Sequence, residues 1–242
     1  MVGEVQPDAV VHLAAISSPV GCDKDPEKAM AVNVPTALLD VLPPHAAMIF
    51  LSTDQVYDGL GAPYGEESPA KPVNTYGESK LAFEKACLER RPERSVCLRS
   101  SLILGPPTRG KCRKQSFVQF CDERLAADAP TDFFSDEWRA VVYVDDIVRT
   151  IAWFIDGGAA SAPGVYCMGG PERVTRVSVA EAVAARRGYP TDRIKRVERA
   201  SLPPSSTASP PDISMDSRRL AKLTGVEPTT LEQLVAITFP AA

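Results

Sequence analysis

The sequence predicts a doubly wound parallel α/β sheet followed by a smaller α/β subdomain, on three observations. Residues 9–15, 47–51 and 95–99 are nearly continuous apolar runs, the pattern of strands covered on both faces. Stretches with helical periodicity separate them, and right-handed crossovers of that kind place helices on both faces of a parallel sheet. After Gly105 the texture changes to a Pro-, Gly- and charge-rich loop at 106–114 that opens a second subdomain.

Each element has a local reason. Behind the first apolar run, Asp25 is a helix cap and Pro26 suits a first helical turn. Ala29, Val32, Thr36 and Leu39 then recur at spacings of three and four until Pro43-Pro44 ends the helix. A second helix runs from about Asn74 to Arg90 and turns Leu81, Ala82, Cys87 and Leu88 toward the third strand. Beyond the loop come an amphipathic piece at 117–125 and an apolar run at 139–144. Asp145 or Asp146 caps a helix over 147–155 that stops at Gly157-Gly158. Ser178 with Glu181 reads as a capping box for a helix closed by Gly188, and Thr229 with Glu232 repeats the device. Residues 201–212 read as a loop. The expected division is residues 1–104, with 141–160 packing back on them, and residues 105–242.

The chain has 242 residues, enough for one large domain or two small ones sharing a core. Hydrophobic residues at 44% and charged residues at 24% exclude wholesale disorder and a fibrous repeat. The net charge of −4, without a long Lys/Arg run, argues against nucleic acid as a partner. No apolar run approaches the ~20 residues that span a bilayer, and residues 1–4 lack signal-peptide character, so a cytoplasmic protein is expected unless an organelle address preceded Met1. Six cysteines without a C-x-x-C pair, and only two histidines, predict no metal site. Cys97 and Cys167 read as small buried hydrophobes. Trp138 and Trp153 read as packing residues, and Arg186-Arg187 as cations suited to a helix C-terminus.

Two segments carry chemistry, each after a predicted strand, where ligands sit in parallel α/β sheets. The first is Ser52-Thr53-Asp54-Gln55-Val56-Tyr57-Asp58-Gly59 and the second Tyr76-Gly77-Glu78-Ser79-Lys80. The i, i+4 spacing puts Tyr76 and Lys80 on one helical face, so a lysine cation is expected to lower the phenol's pKa from ~10 toward neutrality. A hydroxyl from Thr53 or Ser52 would then hold a substrate carbonyl while Tyr76 protonates its oxygen.

Found together in this order, these segments resemble the extended short-chain dehydrogenase/reductase superfamily, in the branch of dTDP-4-dehydrorhamnose reductase and the regulatory β-subunit of methionine adenosyltransferase. The resemblance extends through residues 12–15, 63–77, 98–105, 164–178 and 210–216. It implies a Rossmann-like doubly wound sheet with a C-terminal substrate-binding subdomain. It also implies Thr53 as carbonyl polariser, Tyr76 as acid/base, and Lys80 as the residue that binds the nicotinamide ribose. His12, Leu13, Ala14, Ala15, Asn33 and Ser52 would complete the contacts to NADPH or NADH; His12 itself reads as a satisfied buried histidine and not a catalytic one. Asp54, Gln55 and Arg139 would face a nucleotide-sugar substrate, Arg139 pairing either with its phosphates or in a surface ion pair.

The family opens with a strand and a Gly-x-x-Gly-x-x-Gly turn, which this sequence does not contain. Roughly fifty residues of the first βαβ units are therefore expected to be absent, with weakened cofactor binding as the consequence. Related dehydratases carry Asp-Glu after the threonine where this chain has Asp54-Gln55, which disfavours dehydration. Reduction of a keto group on a nucleotide-linked sugar is the expected activity. Sugar-nucleotide epimerisation and a non-catalytic regulatory role are the alternatives, with a homodimer or a methionine adenosyltransferase catalytic subunit as the expected protein partner.

Overall fold

The structure is a computed structural model that describes residues 2–107, 115–127, 129–202 and 207–240. Cys112 and most of the expected 106–114 loop lie outside the described residues. A short helix α1 (Val2–Val5) precedes β1 (Ala9–His12); α2 (Pro19–Lys24), α3 (Pro26–Asn33) and α4 (Thr36–Val41) then lead to β2 (Ala47–Thr53). A 3-10 turn (Asp54–Val56) and a loop connect β2 to α5 (Thr75–Arg90), which is followed by β3 (Ser95–Ser100) and β4 (Ile103–Leu104). Next come α6 (Phe117–Ala126), β5 (Thr131–Phe134), β6 (Trp138–Arg139), β7 (Val142–Tyr143), α7 (Val144–Trp153) and α8 (Ala159–Ser161). The chain closes with β8 (Gly164–Met168), β9 (Val174–Thr175), α9 (Arg176–Arg187), β10 (Ile194–Val197), α10 (Arg218–Thr224) and α11 (Leu231–Thr238).

The central sheet is parallel throughout, in the order β1-β2-β3-β8. Alternation along its strands explains the doubly wound form. Met48, Phe50 and Cys97 point to a core shared with Leu39, Phe83 and Cys87 of α4 and α5. Ala47, Ile49, Val96 and Leu98 point the other way, to Ile147, Phe154 and Leu220 from the later helices. Both faces are covered, which is why these strands lack polar alternation. A separate core joins Val118, Cys121 and Leu125 of α6 to Val177, Ala180 and Val183 of α9 and Leu234 of α11. The two-stranded parallel β5–β10 sheet lies beside it.

Several boundaries differ from the sequence expectation. The single helix expected from Asp25 to Pro43 is two helices, because Pro35 lacks an N–H and disfavours helical backbone at Val34; Val32, expected on the buried face, is exposed. The run 139–144 splits into β6 and β7, which pair with different strands. The cap of α9 is Thr175, with Ser178 as its N3 partner, and that of α11 is Thr230 with Gln233, each displaced from the expected residue. Neither Asp145 nor Asp146 caps α7: Asp145 accepts from the Tyr143 hydroxyl, while buried Asp146 accepts from the Thr229 backbone and hydroxyl. The strand β8, placed by the sequence in the second subdomain, is the fourth strand of the central sheet.

Candidate functional site

The C-terminal ends of β2 and β3, the start of α5 and the second lobe enclose a cleft of about 950 Å³. Three features bring the chemistry into it. The strand β2 ends at Thr53, so the backbone turns into the 3-10 helix with Thr53 at its head. Asn74 caps α5 through the Gly77 N–H, at 2.9 Å, and donates to Gln55 Oε1 at 2.8 Å, which locks the helix start against that turn. Gly77 allows the contact: a Cβ there would lie 2.1 Å from the Gln55 carbonyl oxygen.

Thr53, Tyr76 and Lys80 all line this cleft. The Thr53 hydroxyl accepts from the Gln55 N–H at 3.2 Å and donates to Asp54 Oδ1 at 3.3 Å, and it neighbours the Tyr76 phenol in the cleft wall. Burial pushes the phenol up to about 12, the neighbouring Thr53 hydroxyl acting against it and the Asp54 charge with it. This reverses the sequence expectation of a phenol acidified by lysine. Lys80 is buried with its Nζ 4.2 Å above the Phe50 ring, and its own pKa is lowered to about 8, first by burial, with Glu84 opposing. The i, i+4 spacing gives a shared face, but desolvation outweighs the charge that spacing was expected to deliver.

Asp54 is buried, accepts from the Ser101 hydroxyl at 2.8 Å, and is raised by burial against the charges of Arg139 and Arg176. Arg139 is buried too and donates to the Trp138 carbonyl at 2.7 Å. Its burial, with a second donation to the Pro211 carbonyl, removes the surface ion-pair reading. Arg176 stacks 4.6 Å over Phe117 and its pKa is lowered by burial and then by Arg139. Gln55 lines the same wall. The second lobe therefore presents guanidinium groups and phenylalanine rings to the cleft, and the sheet lobe presents hydroxyls and a lysine.

Of the remaining expected residues, Leu13, Ala15 and Ser52 line the cleft. Ser52 Oγ is buried without a hydrogen-bond partner. His12 is half-buried, stacked on Phe50 at 5.8 Å, and its Nε2 also lacks a partner, so it is not the satisfied histidine the sequence suggested. Burial and the Lys80 charge lower its pKa. Ala14 is exposed and outside the cleft wall. Asn33 is buried and spent inside the fold. Its amide donates to Ser79 Oγ at 2.9 Å and to the Ile16 carbonyl at 3.2 Å, while its oxygen accepts from the Ile16 N–H at 2.8 Å. It fixes the loop after β1 to α5 and does not face the cleft. Sequence reasoning missed Ser101, Arg176, Arg199 and Glu137 in the cleft wall. Arg176 follows a β-strand and heads a capped helix, a placement legible only once Thr175 is recognised as the cap.

The sheet-lobe half of the cleft suits a nicotinamide cofactor. The unpartnered Ser52 Oγ, the small side chains of the β1 loop and the Lys80 ammonium together offer donors and flat surface to a ring and a ribose. Among the described residues no cluster of His, Cys, Asp and Glu is arranged to hold a metal, and no helix is long and apolar enough to cross a membrane.

Residues 1–240 match the model of the RmlD substrate binding domain family. Methionine adenosyltransferase 2 subunit beta of Danio rerio is 28% identical over 193 residues, 78% of this chain and 58% of that protein. The dTDP-4-dehydrorhamnose reductase of Mycolicibacterium smegmatis is also 28% identical over 193 residues, 78% of this chain and 57% of that protein. The chain thus spans less than two thirds of the length of these relatives. In fold it is similar to the crystal structure of dTDP-4-dehydrorhamnose reductase from Bacillus anthracis in complex with NADP. The TM-score there is 0.84 at 21% identity, covering 98% of this chain and 82% of the other.

Proposed function

The chain belongs to the RmlD substrate binding domain family, and from that premise we propose that it serves NADPH-dependent reduction of a keto group on a nucleotide-linked sugar. The observation that carries this reading is the convergence of Thr53, Tyr76 and Lys80 on the wall of one cleft. When bound, a nicotinamide cofactor would supply the hydride. Tyr76 holds the proton that the carbonyl oxygen receives, and burial keeps that phenol protonated throughout the neutral range. Thr53, on the same cleft wall as the phenol, orients the same oxygen. Lys80 would hold the ribose, Ser52 and the loop of Leu13 and Ala15 would flank the ring, and Arg139 with Arg176 would receive the substrate phosphates beside Asp54 and Gln55, while His12 packs on Phe50 and Phe83 outside the cleft lining.

In this reading residues 1–104, with 141–160 packed on them, form the cofactor lobe and 105–242 the substrate lobe, except that β8 and α10 return to the sheet side. The site of action is cytoplasmic. A second reading is favoured by the relatives named methionine adenosyltransferase 2 subunit beta: a regulatory subunit whose product is a protein contact. NADPH oxidation with a 4-keto sugar nucleotide separates the two. Turnover that falls by about 10²–10⁴-fold in Tyr76→Phe is expected, and a Tyr76→Phe rate equal to the parent's refutes the reductase. Co-purification with a methionine adenosyltransferase catalytic subunit without turnover selects the regulatory reading, and a homodimer by sedimentation is the partner expected otherwise.

A further inference from the structure

Behind Lys80, away from the cleft, lies a buried ion pair that the reaction as described does not use. Glu84 is one helical turn beyond Lys80 on α5 and is 1% exposed; Arg99 on β3 is 6% exposed. Arg99 Nε donates to both Glu84 oxygens, at 3.1 and 3.2 Å, and Nη2 donates to Oε2 at 2.8 Å. The guanidinium is itself fixed, since Nη1 donates to the Tyr57 hydroxyl at 2.9 Å and that hydroxyl donates to the Gly65 carbonyl at 2.9 Å. Both carboxylate oxygens are thus occupied, and Lys80 rests on the Phe50 ring.

We propose that Glu84 and Arg99 are a positioning pair for Lys80: the carboxylate supplies the buried negative charge that keeps the ammonium beside the cleft, and Arg99 holds that carboxylate back from bonding to it. The inference rests on reading Lys80 as the group that holds the ribose. The groups facing Lys80 come from every element packed on it. His12 on β1 is neutral because burial lowers its pKa. Cys97 on β3 is neutral because its thiol is raised, first by the hydrogen bond with Cys87 and then by burial. Tyr76 on α5 is a protonated phenol. Phe50 on β2 offers only its ring face. Of these neighbours, Glu84 alone brings a full negative charge.

The two members of the pair therefore act with opposite sign. Without Arg99, the freed carboxylate pairs directly with Lys80, which keeps its proton to higher pH and is drawn toward Glu84. Without both, Lys80 faces burial unopposed and loses its proton earlier.

The test is a pH titration of the Lys80 ε-carbon NMR resonance in the whole 242-residue chain without cofactor, the resonance being assigned by its loss in Lys80→Arg. Arg99→Met is expected to raise the midpoint. The paired variant Glu84→Gln with Arg99→Met, which buries no lone charge and so keeps the fold, is expected to lower it by roughly one to two pH units. A midpoint in the folded paired variant that matches the parent's, or lies above it, overturns the proposal. Because the titration needs no turnover, its failure is distinct from failure of the reductase reading, which Tyr76→Phe decides.

Discussion

Lys80→Met is expected to make the free chain more stable and less able to hold cofactor. Lys80 is 3% exposed and its pKa falls from 10.5 to about 8, mainly through burial. That difference corresponds to about 3 kcal/mol at 1.36 kcal/mol per unit. The sign follows from proton counting. Between pH 8 and 10.5 the unfolded chain binds the proton that the folded chain has released, so stability rises with pH across that window. Below pH 8 the whole cost of the buried charge is present. Methionine fills a similar volume against Phe50 without the charge and forfeits a cation–π contact worth about 0.5–2 kcal/mol. The net expectation at pH 7 is a gain of about 1–3 kcal/mol, or roughly 2–12 °C in Tm for a chain of this size. Urea and thermal melts of parent and variant at pH 7, 9 and 10.5 measure it directly. The gap between the two should close as pH rises, because groups common to both chains cancel in the difference. A variant that melts below the parent at pH 7 would refute the idea that this lysine is held at a cost to the fold.

Three further outcomes follow from the same geometry. Gly77→Ala drives a Cβ to 2.1 Å from a backbone oxygen of the turn after Thr53; a loss of about 1–3 kcal/mol in urea melts is expected, with turnover falling more steeply than stability because the turn carries Thr53. Asn33→Ala leaves the Ser79 hydroxyl and both Ile16 backbone groups without their partner. It should cost about 1–3 kcal/mol, and folded variant should keep the parent's NADPH affinity, whereas a direct cofactor contact would show as a large rise in Kd. NADPH affinity in fluorescence titrations should fall above about pH 8 as Lys80 loses its proton, and Lys80→Met should abolish that limb without altering any acidic one.

The strands β2 and β3 were legible because burial on both faces leaves little polar to interrupt their apolar runs, and Asn74 was legible as the start of α5 because the cap and its following glycine are local chemistry. The resemblance placed Thr53, Tyr76 and Lys80, and the fold brings all three to one cleft. What stayed hidden is long-range. The strand β8 is five residues whose partner β3 lies more than sixty positions earlier, and nothing in its composition distinguishes a central-sheet strand from one in the second lobe. Glu84 reads as one more solvated charge on a helix until Arg99 is placed against it. Asn33 matched a family position, yet its role depends on Ser79 and Ile16, which sequence spacing does not bring near it. The break at Pro35 was readable in principle, since proline restricts the residue before it, but the apolar spacing across it continued and masked the stop.

The electrostatics of the pair at the site went unread for a deeper reason, and it bears on which function the cleft serves. Spacing fixes which side chains are neighbours, while desolvation fixes which of their protonation states is cheap, and desolvation opposes charge of either sign. It raises Tyr76 to about 12 and lowers Lys80 to about 8, so both move toward neutrality together. A phenol in that condition delivers its proton to an acceptor whose basicity grows as it is attacked, as a carbonyl oxygen's does during reduction. If Tyr76→Phe leaves a regulatory contact intact and removes turnover, the phenol serves proton delivery; if the contact is lost with it, the cleft is part of the docking surface.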